Sequence, residues 1–144
     1  MENSKKIVII TDGAALMEEL AKNIAAIIGD YPGCSAAVIR SDCFSGVDLL
    51  PACAFFLGCE KPGPSSFSHL EAFLGHVNLA GRFCGIFSSN AKACKYLSSL
   101  VRDSEAAAGR PFIAKAGTAD RDKLYHWIQG ILPLNGEKNE YIQS

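Results

Sequence analysis

The chain has 144 residues, 49% of them apolar, with 14 basic side chains against 15 acidic ones. That length and apolar content suit one domain able to bury a core, and they exclude a chain disordered through its bulk. The even charge balance argues against a dedicated nucleic-acid binder, and no like-charge run longer than Lys5–Lys6 offers a basic arm or acidic tail.

The opening MENSKKIVII has neither the long apolar stretch nor the small-residue cleavage site of a signal peptide. No apolar segment approaches the ~20 residues needed to cross a bilayer. A cytoplasmic protein without membrane contact is expected. The six cysteines, Cys34, Cys43, Cys53, Cys59, Cys84 and Cys94, then read as reduced thiols. None is paired at C-x-x-C spacing, so neither zinc nor iron–sulfur ligation is supported. Cys53 and Cys84 lie in apolar runs, where cysteine acts as a small hydrophobe.

Strand-like and helix-like segments alternate along the chain. Ile7–Ile10 is a short apolar, β-branched run, as expected of a strand covered on both faces. Leu16, Leu20, Ile24, Ile27 and Ile28 follow at helical spacing, and Gly29 with Asp-Tyr-Pro-Gly stops that helix. Ala36–Ile39 predicts a second strand. Residues 41–51 read as irregular or a short helical turn. Ala52–Gly58 is a third, wholly apolar strand, followed by the turn-rich CEKPGPSS. Phe67, Leu70, Phe73, Leu74 and Val77 predict a second helix capped by a serine near its start. Arg82–Phe87 is strand four. Ala93, Leu97, Leu100 and Val101 give a third helix. Pro111–Ala116 is strand five. Leu124, Ile128, Ile131 and Leu132 give the last helix, ended by Pro133 before a polar tail over 133–144.

Such alternation implies an α/β three-layer sandwich, a parallel sheet with helices on both faces. Right-handed crossovers limit its topology. No repeat or linker divides the chain, so residues 1–144 form one domain with a core over about 5–132.

The turn after the first strand carries the functional expectation. In open α/β folds a nucleotide or flavin phosphate sits there, on backbone N–H groups at the start of the following helix. Thr11 supplies a hydroxyl, Gly13 flexibility and Asp12 a carboxylate. Asp12 is expected to cap the first helix rather than to bind, while Thr11 can cap and bind at once.

With KIVIITDGAALMEELA, ACAFFLGCEKPGPSSFSHLEAFL, NLAGRFCGIFSS and the closing WIQGIL, the chain resembles the flavodoxin family over roughly residues 5–132. The resemblance implies a five-stranded sheet of order 2-1-3-4-5, a short-chain form, and an FMN site where strands one and three diverge. It implies FMN-linked electron transfer, as a carrier with a redox partner protein or as a small flavin reductase. Carried onto this chain, the cofactor-binding positions are Thr11, Asp12, Gly13, Ala14, Ala15 and Leu16 in the first turn. Cys59, Glu60 and Lys61 follow strand three; Ser88, Ser89 and Asn90 follow strand four.

The chain departs from the family's Ser/Thr-x-Thr-Gly-x-Thr pattern. Only one hydroxyl survives, Thr11, while Ala14 takes the glycine position and Leu16 or Met17 that of the last threonine. Asp12 adds negative charge beside a dianion. The loops CEKPGPSS and SSNAKA hold no aromatic residue to sandwich a flavin ring. Phe67 is the nearest, and it belongs to a helix core face. The alternative is a flavin-free module of the same fold, used for partner binding or regulation.

A receiver-type signalling domain shares the strand order. Asp12, Ser88 and Lys115 fall near its acidic, hydroxyl and lysine positions, but Gly58-Cys59 stands where the phosphate-accepting aspartate should end strand three. Cys59 as a reactive thiolate lacks a placed histidine, and Lys61 is expected in solvent. Ser88, Ser89 and Asn90 also read as the cap of the helix beginning near Ala91. His69, His76 and His126 assemble no metal or triad spacing. Trp127 is expected to pack.

Overall fold

A computed structural model describes residues 5–114 and 121–132. The elements are β1 (Lys5–Thr11), α1 (Ala15–Gly29), β2 (Cys34–Arg40), a 3-10 turn (Ser41–Cys43), α2 (Gly46–Leu49), β3 (Ala54–Gly58), a second 3-10 turn (Ser65–Phe67), α3 (Ser68–Leu74), β4 (Phe83–Ser88), α4 (Ala91–Ser104), β5 (Ala107–Ala108), β6 (Phe112–Ile113) and α5 (Arg121–Ile131). The sheet runs β2-β1-β3-β4-β5, with β6 also on β4, and every pairing is parallel. This is the expected 2-1-3-4-5 order.

The apolar runs that predicted the strands are explained by burial on both faces. In β1, Val8 and Ile10 enter one core with Phe55, Leu57, Cys84 and Ile86, beneath Leu70 of α3 and Leu97 and Val101 of α4. Ile7 and Ile9 enter the other core with Phe56 and Phe87, beneath Leu20 and Ile24 of α1 and Ile128 of α5. A strand buried twice has no polar face to alternate. The amphipathic stripe of each helix closes one side.

Two glycines let aromatic rings lie flat across neighbouring strands. Gly58 is in register with Phe87, and Phe56 with Gly85. A Cβ at Gly58 would stand 2.1 Å from the Phe87 ring, and one at Gly85 2.4 Å from that of Phe56. Trp127 packs as expected. Its ring centroid lies 5.4 Å from that of Phe56 and 5.3 Å from that of Phe112, and its Nε1–H donates to the Arg110 carbonyl at 2.6 Å.

The structure corrects several local expectations. The third strand starts at Ala54 rather than Ala52, because Ala52 closes a turn by donating to the Leu49 carbonyl. Cys53 is exposed rather than a core hydrophobe, while Cys84 is fully buried. No serine side chain caps α3; Phe67 holds that position at the end of the 3-10 turn. Val77 lies beyond α3, half-buried against the core. Strand five is split: β5 precedes the expected Pro111 start, and β6 holds only Phe112 and Ile113. Pro111 has no N–H to give a ladder, which accounts for the break. Lys115, Ala116, Pro133 and the polar tail lie outside the described residues.

Candidate functional site

The three loops at the C-terminal ends of β1, β3 and β4 meet at the carboxyl end of the sheet. Asp12 ties the first two together. Its backbone N–H donates to the Gly58 carbonyl at 3.2 Å, while its carboxylate accepts from Ala14 N–H at 3.0 Å and Glu60 N–H at 2.9 Å. The β4 loop is fastened to the β3 loop. Ser88 Oγ donates to the Cys59 carbonyl at 2.7 Å, and Asn90 Nδ2 donates to the Glu60 carbonyl at 2.6 Å. The Asn90 side-chain oxygen accepts from Ala93 N–H at 2.8 Å and so caps α4. Ser89 is half-exposed beside it, and Lys61 is exposed as expected.

The turn before α1 is closed by its own side chains. Gly13, at φ 89°, donates its N–H to Thr11 Oγ at 3.1 Å, a backbone conformation that glycine adopts without a Cβ penalty. Thr11 is fully buried, and its hydroxyl donates to the Glu18 carboxylate. Asp12 forms an Asx turn through Ala14 N–H rather than the expected helix cap. Ala14 stands at the N-cap of α1 with no side-chain cap bond. The amides of Gly13 and Ala14 are therefore already engaged. Ala14 and Leu16 pack against the core under α1, Met17 is wholly buried, and Ala15 is exposed.

Two residues that sequence reasoning passed over complete the turn. Glu18 lies one helical turn inside α1, where its carboxylate meets Thr11. Arg40 ends β2 in register with Thr11, and its guanidinium lies over Gly13, 3.3 Å from where a Cβ would stand. That group also forms an exposed ion pair with Asp42 at 3.1 Å. The strand order held a signal for Arg40, since the last residue of β2 must neighbour the last of β1.

The turn leaves fewer groups for an FMN phosphate than the family pattern implies. A dianion at the turn needs free amides and hydroxyl donors. It would meet the occupied amides of Gly13 and Ala14, a hydroxyl already donating to Glu18 and the carboxylates of Asp12 and Glu18, against the Arg40 guanidinium over Gly13 and the uncapped amides of Ala15, Leu16 and Met17. The arrangement on the ring side matches this. The loop over 59–66 is held by Asp12, Ser88 and Asn90 and carries no aromatic side chain. Phe67 is fully buried in the core.

The Cys59 thiol is buried, and burial, then the charge of Asp12, then Cys94, push its pKa up from 9.0 to about 12. It is therefore a protonated thiol at neutral pH, the reverse of an activated nucleophile. Nearby, the Tyr96 hydroxyl donates to the Glu71 carboxylate; burial and then that bond raise its pKa. Gly58-Cys59 at the end of β3 offers no carboxylate for aspartyl phosphotransfer. Among the described residues no group of three or more His, Cys, Asp or Glu side chains is arranged to hold a metal. His69, His76 and His126 are all exposed.

Neither a family model nor a curated protein matches this sequence. Solved structures do match in shape. A flavodoxin from Streptococcus pneumonia TIGR4 superposes with a TM-score of 0.72 at 18% identity, covering 88% of this chain and 97% of its own. The chain has the flavodoxin fold. A short-chain flavodoxin associated with a non-canonical PDU bacterial microcompartment gives a TM-score of 0.74 at 13% identity, over 89% of this chain and 96% of its own. A Fusobacterium nucleatum flavodoxin variant bound to flavin mononucleotide gives 0.66 at 8% identity, over 95% and 99%. The flavodoxin fold thus spans nearly all of each molecule, without a long insertion. At these identities the likeness speaks for the fold and leaves the ligand to the residues of each turn. Among the described residues no helix is long and apolar enough to cross a membrane.

Proposed function

We propose that this chain is a flavin-free module of the flavodoxin fold that acts by binding a partner rather than by carrying electrons. One observation carries the reading: the phosphate turn is closed from within. Thr11 and Asp12 occupy the amides of Gly13 and Ala14, and Glu18 takes the Thr11 hydroxyl. Opening it for FMN sacrifices bonds to charged groups worth about 1.5–3 kcal/mol each. Losing two weakens binding roughly a hundredfold or more. The aromatic-free loops after β3 and β4 remove the stacking that would offset this.

A second reading, an FMN-binding electron carrier, draws on the start of α1. The helix has no side-chain cap, so the first helical amides at Ala15, Leu16 and Met17 remain for an anion. The visible absorption spectrum of freshly purified protein, before and after adding FMN, separates the two. The flavin-free module is colourless as purified, and FMN leaves its thermal midpoint unchanged. A yellow protein, or a clear FMN-dependent rise in the midpoint, supports the carrier instead.

A further inference from the structure

The opposite end of the sheet from β2 carries a feature that the closed turn does not use. A groove of about 290 Å³ runs between α4 and β6, lined by Ala91, Cys94, Lys95, Ser98, Arg102, Pro111 and Ile113. Helical spacing explains its shape. Ala91, Cys94, Ser98 and Arg102 recur at three and four residues along one stripe of α4, with Lys95 beside it. Three small residues make a low floor, and two long cations rise from it.

The far wall is a strand edge that no other described strand covers. Phe112 and Ala114 pack into the core under α1 and α5, so alternation turns Ile113 toward the α4 face. There it is 46% exposed. Ala114 N–H donates to the Ser88 carbonyl at 2.8 Å, toward β4. Alternation therefore points the Ile113 N–H and C=O outward. Among the described residues no strand pairs with that side of β6.

Among the described residues the groove thus combines an apolar wall, an unpaired main-chain donor and acceptor, and two cations with no anion in its lining. Neither Lys95 nor Arg102 has an ion-pair partner among the described residues. Asp103, the nearest acidic residue on α4, is turned roughly 100° from Arg102. From Ala91 to Arg102 the floor is ~16 Å long, enough for about five residues of extended chain.

We propose that this groove docks an extended acidic segment of a partner protein. The segment's carboxylates pair with Lys95 and Arg102, an apolar side chain rests on Pro111 and Ile113, and its backbone adds to the β6 edge. The inference rests on the reading of a partner-binding module, and its test does not depend on flavin. A chain that takes up FMN overturns that reading and leaves the groove to be judged alone.

The probe is a fluorescein-labelled heptapeptide alternating Glu with Leu, titrated with the full chain and followed by anisotropy, beside a peptide with Lys in place of Glu. The acidic peptide binds saturably and the basic one does not. The double variant Lys95→Glu/Arg102→Glu and the single variant Ile113→Asp each weaken binding at least about tenfold. These residues are exposed, and circular dichroism checks that the variants fold. No binding at ~1 mM peptide, or a smaller effect of either variant, overturns the proposal. So does binding to anionic phospholipid vesicles that the double variant abolishes, which marks a membrane surface instead.

Discussion

Asp12 fastens two loops with one carboxylate, accepting from Ala14 and Glu60. Both are charge-assisted bonds at a half-buried site, so Asp12→Ala is expected to cost about 2 kcal/mol, read as a lower urea midpoint. Asp12→Asn keeps one acceptor oxygen and should lose about half of that. A shift within about 0.5 kcal/mol for Asp12→Ala would contradict the structural role given to it. Sequence reasoning picked Asp12 out, because an acid after a strand and before a helix has few other uses. Its Glu60 bond was not legible, since that contact spans 48 positions and exists only once β3 lies beside β1. Glu18 was hidden for a local reason, since its reach to Thr11 seven positions away depends on where α1 starts.

The cysteines divide by burial rather than by sequence neighbourhood. Cys43 and Cys53 are exposed, and Cys59, Cys84 and Cys94 are buried with raised pKa values, chiefly through burial. Iodoacetamide at mildly alkaline pH should label Cys43 and Cys53 first and reach the buried three only on unfolding. Labelling of Cys59 as fast as Cys43 would overturn this. The pH dependence follows in sign. A thiol whose folded pKa exceeds its unfolded one contributes stability fully below the unfolded value, and that contribution is lost as pH rises through the folded value. For Cys59 that window runs from 9.0 to about 12. Unfolding free energy should fall with pH above ~9, and less steeply in Cys59→Ser. An equal slope in the two would remove Cys59 from the account.

At the scale of elements, β3 and β4 are locked by reciprocal ring-over-glycine pairs, Phe87 on Gly58 and Phe56 on Gly85. A methyl group at either glycine pushes into an aromatic ring backed by a full core. Gly85→Ala, which also meets Trp127 at 3.2 Å, should cost about 1–3 kcal/mol by thermal unfolding, and Phe56→Leu in the same chain should recover part of it. An unchanged midpoint for Gly85→Ala would mean that the rings move aside freely. The strands themselves were legible from their apolar runs, and the long helices from their spacing. The missing serine cap on α3 and the broken last strand were not. A 3-10 turn shifts the start of a helix without altering its composition. Two short pairings on either side of Gly109-Arg110-Pro111 leave no periodicity to read.

Across the whole molecule, fold and site carry different amounts of information in the sequence. The order β2-β1-β3-β4-β5 follows from alternating apolar strands and amphipathic helices, which many sequences satisfy. The same architecture is kept at 8–18% identity in flavodoxins. A phosphate site needs particular atoms left free at one turn. The exchange of hydroxyls for Ala14, Ala15 and Leu16 was visible in the sequence. The inward closure by Thr11, Asp12 and Glu18 was not, because it depends on where α1 starts. The scaffold therefore persists here around a turn whose Gly13 and Ala14 amides and Thr11 hydroxyl are engaged from within, with a basic groove at the far sheet edge.

That inward closure is tested most directly by titrating the chain into FMN and following flavin fluorescence. No saturable quenching is expected up to ~100 μM protein, with binding gained when Asp12→Ala and Glu18→Ala are combined to remove the acceptors that close the turn. Tight, stoichiometric quenching by the unaltered chain would contradict it.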